Sequence, residues 1–513
     1  MRKKGSITIF AALSFMLVSQ LLFTLLEASR YCEFRKVLRM NTDLVLESAF
    51  ADYCSPLWDT YRILGMTVDD TEGNFSFNQR EAQLRNLTAA QLGGREKHTL
   101  SPGISLLVTE MTDVEYMPYR LLTDQNGMTF QRAVCSYMKQ NLAYEMAKSV
   151  YNNYEAVKAA KEDYGNTQNS IADALDALEH PEKFETENEN TQSLPDGSRK
   201  GAAAPQSGET SAGEEDNPLE TITEVQKKGI LSLVLPANAQ VSGKYINIEG
   251  TVSHRTLEKG TMQAFSGADW YEKVLFNQYL INYMGSYTSE KGERALQYEL
   301  EYVLGGKAKD ADNLKIVAAE LLALREPLNL GSIVASPERS SEAMALAVTL
   351  AGASANPLVI EAVKYGIMVA WAYAESVLDV RTLLSGGKIV MIKSDMDWTS
   401  NVHMLPELLS GWSVAKSSPQ GLDYGQYAGI LLLFQNGNKL AMRTMDVEEA
   451  YVQKQTGYEK FQMDHAICET ELTATYEFQP VFLGFVTLLQ EKVSGFRIQN
   501  HAAYSYFQGK EGT

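Results

Sequence analysis

The sequence has few cysteines and a deficit of positive charge. Its four cysteines occur singly, so the paired CxxC spacing of a zinc site or of a dithiol redox motif is absent. Against 64 Asp and Glu there are 46 Lys and Arg, and the net charge is −18. Nucleic acid is therefore not an expected partner, because binding a phosphate backbone requires a basic surface.

The cysteine spacing also argues against disulfides. Cys32 and Cys54 lie 22 residues apart on one predicted helix, which corresponds to about 33 Å at the helical rise. A disulfide needs Cα atoms within about 7 Å, so we expect no bridge between them. Cys135 with Cys468 stays open as a pair, but four free and mostly buried thiols are the preferred interpretation.

Motifs that carry chemistry are also missing. The sequence has no HExxH, no GxSxG and no EF-hand loop. Two Gly-Gly-Lys tripeptides, at 305–307 and 386–388, lack the preceding Gly and the following Ser or Thr of a phosphate-binding loop, and we predict that they are turns. We expect no cofactor, and an extracytoplasmic hydrolase, although conceivable, lacks a visible active site.

What the sequence does have is a long uncharged segment near its start. Basic residues 2–4 and Gly5 precede Ser6–Leu26, which carries no charge. About 20 residues of helix rise about 30 Å, enough to cross the hydrocarbon core of a bilayer. Leu26-Glu27-Ala28 is a poor signal-peptidase site. We therefore predict a retained membrane span, with a cleaved signal peptide as the alternative.

Helical character continues beyond the span. No Gly or Pro occurs between Gly5 and Pro56, and apolar residues recur every seven positions. These positions are Val37, Leu44, Ala51 and Trp58. The pattern predicts a helical stem that breaks near Cys54-Ser55-Pro56, followed by a short helix capped by Ser55 that stops near Gly65.

The N-terminus, RKKGSITIF followed by an apolar helix ending in LLEASR, resembles that of Tad-type (TadE/TadG-like) pseudopilins. It is still more similar to an uncharacterised family of Firmicutes membrane proteins associated with such pilus loci. The same resemblance extends to 41–64, 217–236, 296–306 and 371–388. It implies a single-pass cell-membrane protein with a cytoplasmic N-terminus and an extracytoplasmic bulk, with the lipid bilayer and proteins of a pilus or secretion assembly as partners.

The resemblance also implies a processing site with one departure. Pseudopilins are cleaved after a Gly, and a Glu follows five residues later. Here cleavage would fall between Gly5 and Ser6, but Phe10 occupies the Glu position and the nearest Glu is Glu27. A permanently anchored accessory protein fits as well as a processed subunit.

The fold class predicted from these patterns is α+β, in consecutive parts. Residues 181–217 carry few large apolar side chains, which predicts a disordered acidic linker. The parts are a cytoplasmic tip and transmembrane helix at 1–30, a helical stem at 31–65, a membrane-proximal α+β region with a long helix at 66–180, that linker, and a distal α+β domain at 218–513.

Several elements are predicted within these parts. A strand is expected within 103–119, and a long helix from about Thr129 to Gly165, with a heptad seam that continues to Leu178. The seam predicts either packing against another helix of the same chain or a self-associating coiled coil. The apolar segments 343–355 and 358–378 predict two core helices, with a second membrane hairpin as the alternative.

The distal part is predicted to alternate helices and strands. A helix should open at Asn217-Pro218, and another should span 422–456. Strands are predicted for ILSLVLP, KYINIEG and GGKIVMIKSD, and an antiparallel pair for ICETELTATYEF with GFRIQNHAAYSYF.

Two groups of residues are candidates for chemistry. Glu375 and Asp379 are i,i+4 neighbours on a predicted helix, with Arg381 beside them. This spacing predicts a buried ion cluster. The alternative is a catalytic acid–base pair. Asp464, His465 and Cys468 are metal-capable, but no further ligand group is evident and a structural role is preferred.

The sequence thus supports two principal hypotheses. The first is a single-span surface protein that works as a structural or assembly component resembling Tad-type pseudopilins. The second is a membrane-tethered extracytoplasmic module that binds cell-wall polymer or a partner protein.

Overall fold

The computed structural model describes residues 3–93, 109–139, 144–165, 169–185, 217–264, 266–405, 411–483 and 495–507. The helices in these parts are α1 Lys3–Phe50, α2 Ser55–Tyr61, α3 Asn78–Gly93, α4 Asp124–Met138, α5 Tyr144–Tyr164, α6 Ser170–Glu179, α7 Pro218–Gln226, α8 Ile230–Val234, α9 Trp270–Tyr283, α10 Glu299–Gly305, α11 Asp310–Ala335, α12 Pro337–Ala351, α13 Pro357–Leu384, α14 Tyr424–Leu433 and α15 Gly437–Val452. The strands are β1 Met66–Thr67, β2 Thr109–Leu121, β3 Ala466–Phe478 and β4 Phe496–Ser505.

The predicted span and stem form the single continuous helix α1. The chain then leaves helical geometry, and α2 begins with Pro56 in its first turn. The cap is Cys54 in extended conformation, not Ser55 as predicted, and Arg62 ends α2 in the left-handed region with φ 62°. The break is where the sequence placed it, but α2 is three residues shorter than expected because Arg62, rather than Gly65, takes the left-handed position.

The described chain forms two compact units that interleave along the sequence. Unit 1 comprises residues 1–141, 249–272 and 437–513, and unit 2 comprises 142–248 and 273–436. The predicted division was into consecutive parts instead, because local patterns do not reveal which distant segments pair.

A small antiparallel sheet organises unit 1. β3 is central, with β2 on one side, and β1 and β4 pair with successive parts of its other side. The predicted pairing of ICETELTATYEF with GFRIQNHAAYSYF is confirmed, and its register places Tyr476 opposite Ile498. Alternate residues of β3 from Cys468 to Phe478 are buried, which is the two-residue period of a half-buried strand.

The long helix predicted from Thr129 is divided between the two units. α4 opens with three left-handed residues, Gln125, Asn126 and Gly127, so its regular part starts close to the predicted position. It ends at Met138, whereas α5 begins at Tyr144. Residues 140–143 lie outside the described parts.

Unit 2 is helical and built around α13. Nearly every residue of α13 from Gly366 to Leu384 is buried, and α6, α7, α8, α11 and α12 pack against it. Asn356 caps its start by accepting a bond from the backbone N–H of Leu358, and Pro357 occupies the first turn. The interpretation of 358–378 as a core helix is confirmed, and α12 buries one face.

The heptad seam packs within the chain. α5 packs on α11, and α6 turns Ile171, Ala174 and Ala177 toward α13. Gly366 makes this close approach possible, because a Cβ there would lie 2.3 Å from the Cβ of Ala174. The described helices thus follow the first of the two expected packings, and a coiled coil between copies stays a prediction.

Three predicted strands are wrong. ILSLVLP contains helix α8, whose Leu233 and Val234 are buried. KYINIEG makes one bridge, between Tyr245 and Lys309, and ends in a 3₁₀ turn. GGKIVMIKSD likewise makes one bridge, between Ile389 and Leu422. The first segment is packed as a helix, and in the other two Tyr245 and Ile392 are 71% and 68% exposed. Short runs with β-branched residues form strands only where a partner strand is available.

Two further predictions are resolved by this architecture. The predicted helix 422–456 is two helices, α14 and α15. Of the linker predicted over 181–217, residues 186–216 lie outside the described parts, whereas Pro181–Glu185 form a 3₁₀ helix and Asn217 caps α7, so these flanking residues are ordered and not part of a disordered segment. The two Gly-Gly-Lys segments are turns, with Gly306 at the end of α10 and Gly386 after α13, both at positive φ.

Candidate functional site

The first half of α1 exposes an apolar surface on all sides. Except for the half-buried Phe23, the large apolar residues from Ile7 to Leu26 are exposed, and Phe10 is 73% exposed. In the described parts, α1 and α13 are the two helices long and apolar enough to cross a membrane. The apolar window of α13 is 56% buried, whereas that of α1 is on the surface. Gly5 and Ser6 lie in the first turns of α1.

The second half of α1 packs on the sheet of unit 1. Phe34 stacks on Phe478 with ring centroids 5.1 Å apart and an interplanar angle of 8°. Hydrogen bonds accompany this apolar contact. Asn41 donates to the Tyr476 hydroxyl at 3.3 Å, and the Thr42 hydroxyl lies 2.9 Å from the same oxygen. The same helix therefore has an exposed apolar half and a half that is packed as in a folded core.

Glu27 lies at the junction of these halves. One carboxylate oxygen accepts hydrogen bonds from the backbone N–H groups of Val481 (3.1 Å) and Phe482 (2.7 Å). The other pairs with Arg30 at 2.5 Å, and Arg30 also donates to the carbonyl of Gln479. The Glu nearest to Gly5 thus fastens the segment after β3 to the helix just beyond its apolar half.

In unit 2 the predicted pair Glu375 and Asp379 is fully buried in an ion cluster. Lys393 pairs with Glu375, and its ammonium lies 2.5 Å from Asp379. Glu375 also accepts bonds from the backbone N–H groups of Thr399 (3.2 Å) and Ser400 (2.8 Å). Lys393 is therefore a bridge between the two carboxylates.

Asp379 is bound on its other side by α11. Its Oδ2 accepts bonds from Arg325 and Asn329, both at 2.9 Å. Burial alone would raise the pKa of Asp379, but Lys393 and Arg325 and the Asn329 hydrogen bond bring it below its ordinary value. Arg325 in turn donates to the Tyr427 hydroxyl and to the carbonyls of Val390 and Met391.

Arg381 is buried beside the cluster but binds different partners. Its guanidinium donates to the carbonyls of Leu233, Gly411 and Ser413 and lies 5.0 Å from the Trp412 ring centroid. The structure therefore brings Glu375 and Asp379 together, as predicted, and supplies Lys393 and Arg325 as their cations. Because both carboxylates are bound by cations and amide donors, the geometry favours an internal clamp joining α11, α13 and residues 388–400.

A second buried carboxylate stands near α10. Glu301 accepts bonds from the Tyr424 hydroxyl (2.6 Å) and the backbone N–H of Tyr287 (2.8 Å). Its Oε2 has no hydrogen-bond partner among the described residues. Burial, only partly offset by these bonds, raises the pKa of Glu301 to about 7.

The Asp464–Cys468 segment has structural partners in unit 1. Arg255 binds both Asp464 and Glu449, and His465 lies 2.5 Å from Asp69. Cys468 is buried in β3. All four cysteines are free thiols, as preferred from the sequence, with Cys32 exposed and the others buried.

A model of a family of unknown function (DUF5702) matches residues 208–478, just over half of the chain. The chain belongs to this family. No curated protein and no solved structure matches the chain. The predicted resemblance to an uncharacterised family is thus supported, while α1 lies outside the DUF5702 match and its pseudopilin-like character stays a prediction.

The DUF5702 segment contains the whole ion cluster, including two cations that sequence reasoning missed. A signal for both was present. Arg325 lies beside Glu326 inside the apolar run LLALREPLNL, and Lys393 follows the apolar residues IVMI. A buried charge requires a partner, but the sequence identifies neither which of these charges is buried nor which carboxylate it meets.

Proposed function

We propose that this protein is a single-span cell-surface protein that serves as a structural or assembly component resembling Tad-type pseudopilins. Its N-terminus would be cytoplasmic and its bulk extracytoplasmic. The observation that carries the proposal is α1, which is apolar and exposed over its first half and packed on an antiparallel sheet over its second. Such a helix joins a membrane span to a folded head without a flexible hinge.

The junction supports this reading. The hydrocarbon core of a bilayer would surround the exposed apolar side chains of residues 7–26. The helix pairs its own backbone N–H and C=O groups by hydrogen bonds, as a membrane span requires. The first buried polar pair, Glu27 with Arg30, follows immediately after the uncharged segment. Lys393 and its carboxylates, by contrast, make α13 an internal helix, so one span is proposed.

The membrane part of the proposal is tested by placing two lysines in the span. Leu17→Lys with Val18→Lys should release the protein from carbonate-washed membranes, since each lysine costs about 3 kcal/mol at the centre of a span. The matched control is Met40→Lys with Leu44→Lys, because these side chains are 72% and 50% exposed on the stem. Equal membrane retention of both pairs would contradict the proposal.

The assembly part is tested at the processing position. If the protein is a processed subunit, Gly5→Ala should leave residues 1–5 attached and reduce surface pili, whereas Ala11→Gly should change neither. If it is a permanently anchored accessory protein, Gly5→Ala should leave its processing unchanged, and deletion of the gene should still reduce pilus output. Normal pilus output after deletion would refute an assembly role.

One observation favours a second function, binding of cell-wall polymer. In unit 1 a cleft of about 250 Å³ is lined by aromatic side chains with Arg62 and Ser136 beside them. The aromatic residues are Trp58, Tyr137, Tyr506 and Phe507. Aromatic walls with a few polar groups are typical of ligand sites. Trp58→Ala should weaken binding of purified wall to the full-length protein, and Trp270→Ala should not.

A further inference from the structure

A second cleft, in unit 2, lies between α5, α11 and the start of α12. Its volume is about 510 Å³, and its walls include Tyr164, Ser332, Ser336 and Arg339 together with residues 392–395. Gly331 is also in the wall, where an added Cβ would lie 3.2 Å from the Tyr164 ring. The cleft thus opens next to the segment that carries Lys393.

Arg339 is the distinctive group of this cleft. The residue is 7% exposed, and its guanidinium lies 4.4 Å from the Trp398 ring centroid. One terminal nitrogen contacts Asp395 at 2.9 Å and the carbonyl of Ser332 at 3.4 Å. Its Nε has no hydrogen-bond partner among the described residues. This N–H is itself buried, so it can bind a further acceptor only when a neighbouring side chain such as Asp395 moves aside.

The charges around the cleft leave Arg339 poorly compensated. Within the adjoining cluster, the carboxylates of Glu375 and Asp379 balance Lys393 and Arg325. Arg339 adds a further buried positive charge, and its partner Asp395 has a side chain that is 73% exposed. A hydrated, exposed carboxylate stabilises a buried cation only weakly, so a second anion can still bind the cation favourably.

The helix α12 strengthens this positive potential. It is 15 residues long, it begins at Pro337 beside the cleft, and Ser336 caps it by accepting from the backbone N–H of Arg339. The start of a helix carries partial positive charge and favours anions. The helix end and the unpartnered Nε of Arg339 therefore act in the same direction.

From this geometry we propose that the cleft binds a small oxyanion, a carboxylate or a phosphate, on Arg339. The ligand takes the place of Asp395, which moves into solvent, and it uses the planar guanidinium for a two-pronged contact. The cleft holds about 510 Å³ and Asp163 also lines it, so a compact group of one or two charges is expected and not an extended polyanion. This site is independent of the membrane and assembly roles proposed above.

The test titrates the full-length protein in detergent with inorganic phosphate or acetate at constant ionic strength, with chloride as the balancing salt. Tryptophan fluorescence is the readout, because Trp398 lies under the guanidinium. Wild type should show saturable binding of at least one anion, and the anion that binds more tightly distinguishes phosphate from carboxylate. Absence of a saturable signal up to about 50 mM of either anion would overturn the proposal.

Two variants make the result specific. Arg339→Gln should weaken binding at least tenfold, and Asp395→Asn, at an exposed position that leaves folding intact, should tighten it about threefold or more by removing the competing carboxylate. Arg85→Gln, which removes a guanidinium that binds carbonyls of β2, is the control and should change nothing. Unchanged binding in Asp395→Asn, or equal binding in Arg339→Gln, would refute a site on Arg339.

Discussion

Replacing Lys393 with methionine should destabilise unit 2 more than any surface change. Its side chain is 1% exposed and its ammonium pairs with both Glu375 and Asp379, and Arg325 is the remaining cation. Methionine fills a similar volume but leaves two buried carboxylates against one cation. Breaking a buried pair in this way costs about 3–5 kcal/mol.

Part of the lost stability should be recovered by also removing the negative charge of Glu375, which has no cation once Lys393 is replaced. In Lys393→Met with Glu375→Gln, Asp379 keeps Arg325 and Asn329, and the buried negative charge of Glu375 is removed. The glutamine oxygen can still accept from the N–H of Ser400, whereas the N–H of Thr399, which binds the other oxygen of Glu375, loses its acceptor. The double variant should therefore be about 2 kcal/mol more stable than Lys393→Met alone, a coupling typical of residues in one network.

Thermal unfolding followed by circular dichroism measures this effect. For a folded unit of this size a change of 1 kcal/mol moves the Tm by about 2–4 °C, so Lys393→Met should lower the transition of unit 2 by about 10 °C. Lys364→Met is the control, because it removes an i,i+3 partner of Glu361, whose side chain is 60% exposed, and it should change the transition by less than about 2 °C. The clamp would be refuted if Lys393→Met lowered the Tm no more than Lys364→Met does. It would also be refuted if the double variant were no more stable than Lys393→Met.

Three other changes test separate parts of the structure. Glu27→Ala should cost about 2–3 kcal/mol, because it leaves Arg30 and two backbone N–H groups without their carboxylate, measured by protease sensitivity of unit 1. Glu301→Gln should abolish a decrease in stability of about 3 kcal/mol between about pH 4.5 and pH 7, followed by thermal unfolding. Gly366→Ala should cost about 1–3 kcal/mol, because its Cβ would overlap α6, measured by chemical denaturation.

The pH effect follows from the direction in which the pKa of Glu301 moves on folding. Because the folded pKa is raised to about 7 from an ordinary 4.5, the folded state holds its proton more tightly. The stability that this group contributes is therefore complete below about pH 4.5. It falls by about 1.4 kcal/mol for each pH unit between the two pKa values and stays low above about pH 7. A pH profile of Glu301→Gln identical to wild type would contradict this.

The other two predictions have matched controls. Glu33→Ala removes a carboxylate that is 70% exposed and should be neutral, so equal sensitivity of Glu33→Ala and Glu27→Ala would contradict the junction. Gly243→Ala adds a Cβ with no atom within 4 Å and should also be neutral. A neutral Gly366→Ala would show that α6 does not approach α13 as closely as described.

Sequence patterns predicted the elements whose stability is local. The long helix α1 follows from a run without Gly or Pro, and Asn217-Pro218 indicates a helix start by capping chemistry that needs no distant partner. The pair β3–β4 was recognisable from alternation. Each of these signals is contained within the segment itself.

Features set by distant partners were not predictable. Residues 230–234 have strand-like composition, yet they form a helix because α11 and α13 cover them. The i,i+4 spacing revealed the pairing of Glu375 and Asp379, but Lys393 and Arg325 reach them from other segments. The carbonyls that Arg381 binds likewise become its neighbours only after folding, so Arg381 was placed with the wrong partners.

The central claim, a membrane span retained in the mature protein, is tested most directly by mass spectrometry of the N-terminus after extraction from membranes. We expect a chain that starts at Met1 or Arg2 if the protein is a plain anchor, or at Ser6 if it is processed after Gly5, and either start keeps the apolar half of α1. A chain that starts at Ser29 would contradict the claim, because that apolar half would then be a removed signal sequence.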